Sequence, residues 1–375
     1  MTGTPPVVGV VGAAGAVGSV AVTELHRRGR HTLRLAGRRR APLDALSDGL
    51  TATGSAPADG SWPTVEVVDL DDADALQRFC AGCDVVLNCA GPAYLVEDRV
   101  ARAALAAGAD YVDAAGDDVL WEQVRALLAG APERTAVISA GMMPGLSALL
   151  PRHLAAALPQ PPRALLGYLG GRDRFTATAA ADYLRVGEGF GQAGAALTAG
   201  VRQSLPTRTD VELPFFPEPA TAVPYLSTEL ERVARDLGVT DATWHSVFAG
   251  PHVAQVLRQP PTGGDAAEAL RRAAELDAFG QATYQLFVVE LTTAAGDART
   301  LVLRGASASA LTGAFAAVAV AALTGGNLAA GLHLAGEALD PQLAVDLLAG
   351  SAAVSDLSVF DGEAAHVGGH VEEAL

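Results

Sequence analysis

Lysine is absent from all 375 residues, and the 26 basic side chains are all arginine. Schiff-base chemistry, a lysine general base and the phosphate-binding lysine of P-loop NTPases are thereby excluded. Cysteine is scarce: Cys80, Cys83 and Cys89 only. Cys80 and Cys83 have the spacing of a redox pair, but they straddle a helix end and the next strand instead of opening a helix. No second pair or histidine cluster completes a zinc site, so the thiols read as structural and no metal is expected. Three unpatterned thiols suit a reducing cytoplasm. Residues 1–6 show no basic segment before an apolar one, so no signal peptide is expected. Positive charge is also short, with 42 acidic residues and a net charge of -16. A nucleic-acid partner or an anionic membrane surface is therefore not expected. The most apolar stretch, 306–323, is broken by Ser307, Ser309, Thr312 and Gly313 and is rich in alanine. It reads as a buried helix, not a membrane span.

What remains is a core-forming chain, 50% hydrophobic and 18% charged, long enough for two domains. Apolar runs at 7–11, 33–36, 65–68, 85–87, 111–112 and 136–138 alternate with helical spacing at 16–28, 72–79, 96–107, 119–128 and 145–158. Continuous apolar strands between helices imply a parallel sheet covered on both faces, a Rossmann-type doubly wound α/β domain over 1–150. Beyond Pro159 the pattern changes to strands at 164–169, 209–213, 244–248, 283–291 and 300–303, with helices at 181–186, 225–237 and 266–279. The turn 294–297 signals a hairpin. Residues 151–306 are thus expected to form an α+β domain on a mostly antiparallel sheet, carrying substrate and a dimer interface on its open face. Residues 307–375 are expected to be helices returning to the first domain.

The strongest local signal is Gly12-Ala-Ala-Gly15-Ala-Val-Gly18, directly after the first strand and opening a helix. The first glycine permits a tight turn, the second a close pyrophosphate, the third close helix–strand packing. Ala14, Ala16 and Val17 complete this dinucleotide-binding loop. The second strand ends in Gly37-Arg38-Arg39-Arg40, with no acid to hold ribose hydroxyls. A guanidinium pairs with a 2′-phosphate that an acid would repel, so NADPH is expected, held by Arg38 and by Arg39 or Arg40. Asp69 and Leu70 after the third strand are placed near the adenine. Cys89, Ala90, Gly91 and Pro92 after the fourth, and Ala115 and Gly116 after the fifth, line the path of the cofactor. Met142 and Met143 after the sixth line the substrate pocket or simply pack.

Four segments together, 12–18, 83–92, 108–117 and 140–146, resemble the saccharopine dehydrogenase and saccharopine reductase-like superfamily, and 323–341 is loosely similar to its closing helices. The resemblance implies an NADP-dependent oxidoreductase acting at a carbon–nitrogen bond. The lysine-pathway members use a lysine that is missing here, so saccharopine itself is not expected. The run 180–200 is similar to the thiazolinyl imine reductase branch, which implies reduction of a cyclic imine, free or tethered to a carrier protein. Imine reduction needs a proton donor within reach of the nitrogen. Tyr94 after Pro92, Asp117 after Gly116, and His252 in the turn 249–253 are the candidates. Asp117 equally suits a cap of the following helix. Tyr183 is a substrate contact or a buried aromatic, and His245, inside a strand, reads as structural. An enoyl reductase and a non-catalytic NADPH-binding module remain as alternatives.

Overall fold

The computed structural model describes residues 4–52, 62–116, 118–185, 190–259 and 266–372. The chain forms two compact units, 1–146 with 309–353 and 147–308 with 354–375.

The first unit is built on β1 (Val7–Val11), β2 (Thr32–Gly37), β3 (Thr64–Val67), β4 (Val85–Asn88), β5 (Asp110–Asp113), β6 (Thr135–Ile138) and the late strand β16 (Gly331–Leu334). All pair in parallel, in the order β16-β6-β5-β4-β1-β2-β3. β4 and β6 are buried along their whole length, as helices on both faces require. The strand order reverses between β1 and β4, which puts a ligand crevice at the carboxyl ends there. The helices are α1 (Ala16–Arg28), α2 (Arg40–Ala52), α3 (Ala73–Cys80), α4 (Ala93–Val96), α5 (Arg99–Ala106) and α6 (Asp118–Leu128). From the late segment come α12 (Ala308–Thr324), α13 (Ala335–Ala338) and α14 (Pro341–Ala349). α12 is buried along most of its length. At Gly313 it lies so close to α1 that a β-carbon would stand 2.5 Å from the Val17 carbonyl oxygen. Among the described residues no helix is long and apolar enough to cross a membrane.

The second unit holds α7 (Leu146–Ala156) and a mixed sheet around β7 (Pro162–Arg172). After β7 come α8 (Ala177–Arg185), β8 (Gly191–Ala193), β9 (Ala195–Thr198), β10 (Val201–Ser204), β11 (Arg208–Val211) and β12 (Ala220–Ser227). Then follow α9 (Thr228–Leu237), β13 (Asp241–Ala249), α10 (Pro251–Arg258), α11 (Ala266–Asp277), β14 (Tyr284–Thr293), β15 (Ala298–Gly305), β17 (Val354–Asp361) and α15 (Ala364–Glu372). The order is β10-β9-β13-β7-β14-β15-β17, with β12 also on β13. Only β13 and β7 run parallel among these pairs. Trp244, 1% exposed, fills the space over Gly167, where a β-carbon would lie 2.1 Å from its ring.

Several elements differ from expectation. The helix expected over 96–107 breaks into α4 and α5 at Glu97, which has a φ of 49°. The helix expected over 225–237 starts only at Thr228, because 220–227 pairs as β12 and Ser227 caps α9. The segment 307–375 does not return whole to the first unit. It includes β16, and β17 with α15 belongs to the second unit, where β17 pairs with β15. On one face of the second sheet Tyr168, Val247, Val288 and Val302 pack against Leu213, Phe216 and Ala364.

The Ser227 hydroxyl accepts from the Leu230 N–H at 3.0 Å. Ser227→Ala should lower stability by about 1 kcal/mol, the usual worth of an N-cap, read from the urea midpoint. No change in the midpoint would mean the α9 start is held by packing alone.

Candidate functional site

At the end of β1 the three glycines do three different things. Gly12 has a φ of 74°, and a β-carbon there would meet the Ala90 nitrogen at 2.8 Å, so the loop lies directly on the turn after β4. A β-carbon at Gly18 would stand 2.2 Å from the Gly12 carbonyl oxygen. One at Gly15 would meet only that oxygen, at 3.1 Å, and otherwise project into open space. Ala13 is buried and donates its N–H to Ala36 at 3.0 Å, while Ala14 and Val17 are half-buried and Ala16 is exposed. No side chain caps α1 at Gly15, which leaves its first-turn N–H groups to an anion. The cradle therefore fits a pyrophosphate.

β2 ends at Gly37, whose carbonyl accepts from the Val68 N–H at 3.1 Å. Arg38, Arg39 and Arg40 follow, all exposed. Arg40 opens α2 and is held by Asp44 at 2.8 Å. Arg38 and Arg39 carry no ion pair among the described residues. The two guanidiniums that remain for a 2′-phosphate are thus the two nearest the strand end. After β3, Asp69 is exposed and accepts from the Asp71 N–H, while Leu70 packs on the core.

On the other side of the crevice, Cys89 and Ala90 are half-buried and Gly91 is exposed, with a cis bond to Pro92. Burial pushes the Cys89 thiol well up and the Cys80 thiol up to about 12, so neither is a thiolate at neutral pH. All three cysteines are free. Tyr94 lies half-buried in α4, two residues past Pro92. After β5, Ala115 is half-buried and Gly116 buried, with a φ of 112°. Asp117 lies outside the described residues. After β6, Ser139 has a φ of 59° and donates its hydroxyl to the Gly116 carbonyl at 3.2 Å. Met142 and Met143 are half-buried, and Thr312 of α12 accepts from the Met142 N–H at 3.2 Å.

In the second unit, His252 sits in the first turn of α10 and not in a loop. Its Nδ1 lies 2.6 Å from Asp277 Oδ1. Asp277, at the end of α11, is buried and also accepts from the His252 and Val253 N–H groups. The imidazole side chain stays 48% exposed. Asp277 was not foreseeable, because it stands 25 residues further on and only the helix pair brings it close. Tyr183 packs between Phe175 and Phe248 in a small apolar cluster, and burial raises its phenol. His245 is buried and stacks on Tyr168 at 5.0 Å.

Arg27 pairs with Glu24, Arg28 donates to the Leu347 carbonyl, and Arg152 pairs with Asp236. Among the described residues no group of three metal-ligating side chains is assembled.

Comparison with known proteins follows the same division. Residues 8–138 match the family model of the saccharopine dehydrogenase NADP binding domain. A probable mitochondrial saccharopine dehydrogenase-like oxidoreductase of Arabidopsis thaliana is 36% identical over 58 residues, which is 16% of this chain and 13% of that protein's length. The solved structure of a saccharopine dehydrogenase (L-Glu forming) from Saccharomyces cerevisiae has a similar fold, with a TM-score of 0.67 at 14% identity. It covers 96% of this chain and 100% of the other. Residues 8–138 are thus similar to a saccharopine dehydrogenase NADP-binding domain, which supports NADP(H) as the cofactor.

Proposed function

We propose that the chain is an NADPH-dependent reductase of a carbon–nitrogen double bond, and most specifically of a thiazoline ring that becomes a thiazolidine. The observation that carries the reading is the glycine cradle after β1 together with Arg38 and Arg39 after β2, which have no ion pair among the described residues, on a fold shared with a saccharopine dehydrogenase. Gly12, Gly15 and Gly18 would hold the pyrophosphate, Arg38 and Arg39 the 2′-phosphate, and Asp69 with Leu70 would flank the adenine. Residues 89–92, with Ala115 and Gly116, would border the nicotinamide half, and Met142, Met143 and Tyr183 would meet substrate. Bound NADPH supplies a hydride. The chain's own part is to supply a proton to the imine nitrogen, for which Tyr94, Asp117 and His252 are the candidates. The Asp277 carboxylate beside Nδ1 of His252 would hold a proton there, which leaves Nε2 as the nitrogen that can exchange a proton with a ligand. Three free thiols suit a cytoplasmic enzyme.

The test is loss of the reduced-nicotinamide absorbance with a small thiazoline thioester, beside NADH and an enoyl thioester. Turnover with NADPH and thiazoline alone is expected. Reduction of the enoyl thioester instead, or tight NADPH binding with no turnover of either, overturns the imine reading.

A further inference from the structure

Asn88 and Asp113 are the last residues of β4 and β5, and the parallel register sets them side by side. Each is 3% exposed. Asn88 Nδ2 donates to Asp113 Oδ2 at 3.0 Å. The remaining acceptor of each side chain holds its own strand's exit: Asn88 Oδ1 accepts from the Ala90 N–H at 3.0 Å, and Asp113 Oδ1 from the Ala115 N–H at 2.8 Å. The Ala114 N–H donates to the Asn88 carbonyl at 3.0 Å. Tyr111, fully buried two residues earlier on β5, donates its hydroxyl to Asp113 Oδ2. Burial raises the phenol well above its ordinary value, with the Asp113 charge adding to it, so Tyr111 remains a donor.

Burying an amide against a carboxylate costs free energy that an apolar pair would not. The neighbouring strands end in apolar side chains, Val11 on β1 and Ile138 on β6. The polar pair occurs where two turns must keep a fixed separation. Ala90, held by Asn88, is also the residue against which Gly12 of the phosphate loop lies. In a doubly wound sheet the dinucleotide crosses the switch point, one half on each side. With the 2′-phosphate on Arg38, as proposed above, the adenosine half lies beside β2 and the turns after β4 and β5 border the nicotinamide half.

We infer that Asn88 and Asp113, with Tyr111 behind them, form a clasp that positions the two strand-end turns for the nicotinamide half of the cofactor. They are positioning residues that act through the backbone of Ala90 and Ala115. The inference rests on NADP(H) binding and not on the imine substrate.

Isothermal titration calorimetry with two probes tests it: NADPH, and adenosine 2′,5′-bisphosphate, which carries only the adenosine half. In Asp113→Asn one amide hydrogen must face another donor, either Asn88 Nδ2 or the Ala115 N–H. In Asn88→Asp two carboxylates face each other. Each single variant should bind NADPH at least about tenfold more weakly while binding of the bisphosphate changes less than about twofold. The double variant, Asn88→Asp with Asp113→Asn, exchanges donor and acceptor and should regain most of the NADPH affinity. Equal loss of both probes would make the pair merely structural and overturn the inference. Unchanged NADPH binding in the single variants, or a double variant no better than the worse single one, would overturn it too. A parent chain that binds neither probe would overturn the NADP(H) assignment itself.

Discussion

With Arg38 and Arg39 both changed to alanine, the chain should bind NADPH about a hundredfold more weakly and bind NADH within about twofold of the parent. Both arginines are exposed at the end of β2, and neither has an ion pair among the described residues. Among the described residues no ion-pair partner has to be displaced when a phosphate arrives. A guanidinium–phosphate pair makes charge-assisted, often bidentate hydrogen bonds, each worth about 1.5–3 kcal/mol. A hundredfold loss corresponds to about 2.7 kcal/mol, the low end for two such contacts partly screened by solvent. Arg40 is the internal control. It is tied to Asp44 at 2.8 Å on α2, so Arg40→Ala should change NADPH affinity less than about threefold. NADH lacks the 2′-phosphate and reads only the glycine cradle and the nicotinamide turns. Equal loss of NADPH and NADH in the double variant would mean that the arginines support the loop and do not read the phosphate.

That distinction among three consecutive arginines was only half legible in the sequence. Charge type and distance from the glycine loop pointed to all three. Choosing among them needed α2, whose periodicity is faint because only Leu43 and Leu50 are buried and Pro42 stands in its first turn. Once the helix is known, Arg40 and Asp44 have the i, i+4 spacing of a pair. The parallel strands were legible for the opposite reason. Buried on both faces, they are continuous apolar runs between helices, and α1 was bounded by its glycine loop and by Gly29, its left-handed C-cap.

Contacts between distant residues were not legible at all. β16 joins β6 after nearly two hundred intervening residues, and its four residues are only half-buried. β17 is an edge strand with exposed polar side chains, so it lacked the apolar alternation of a half-buried strand. Asn88 and Asp113 sit in quotable motifs, yet nothing in either motif states that they touch. The parallel register does that. The same holds for His252 and Asp277, which two helices bring together. The family resemblance covered the cofactor domain, where motif and backbone are bound to one ligand. It thinned in the second unit, where the roles of side chains depend on packing.

Two buried histidines should make the fold acid-sensitive well above the range where carboxylates titrate. His31, in the first unit, is 4% exposed. Its Nε2 lies 3.0 Å from the Thr324 hydroxyl, which itself donates to the Val320 carbonyl, so the imidazole is the donor in that pair. Its Nδ1 has no partner among the described residues. Burial first, then the charges of Arg28 and Arg30, lower its pKa to about 4. His245, in the second unit, is 5% exposed. Burial lowers its pKa to about 4, a backbone hydrogen bond at Gly167 opposes this, and Arg208 adds to it. Both groups are depressed from an ordinary value of 6.5. Below that value the unfolded chain takes up protons that the folded chain refuses. The stability each neutral imidazole contributes is therefore complete above pH 6.5 and is lost as pH falls toward 4. Between pH 6.5 and 5 each should cost about 1.5 kcal/mol, and about 3 kcal/mol over the whole window. Urea unfolding at pH 7, 6 and 5 reads the slope before most carboxylates titrate. His31→Gln and His245→Gln should each remove about half of it, because a glutamine keeps one donor and takes up no proton. Equal stability at pH 7 and 5 in the parent would show that the imidazoles are hydrated or relax on protonation. A slope unchanged in both variants would assign the acid sensitivity to other groups. The same window sets the conditions for the binding experiments: above pH 6.5 both imidazoles are neutral, and a change in NADPH affinity then reports on Arg38, Arg39 or the Asn88–Asp113 clasp and not on partial unfolding.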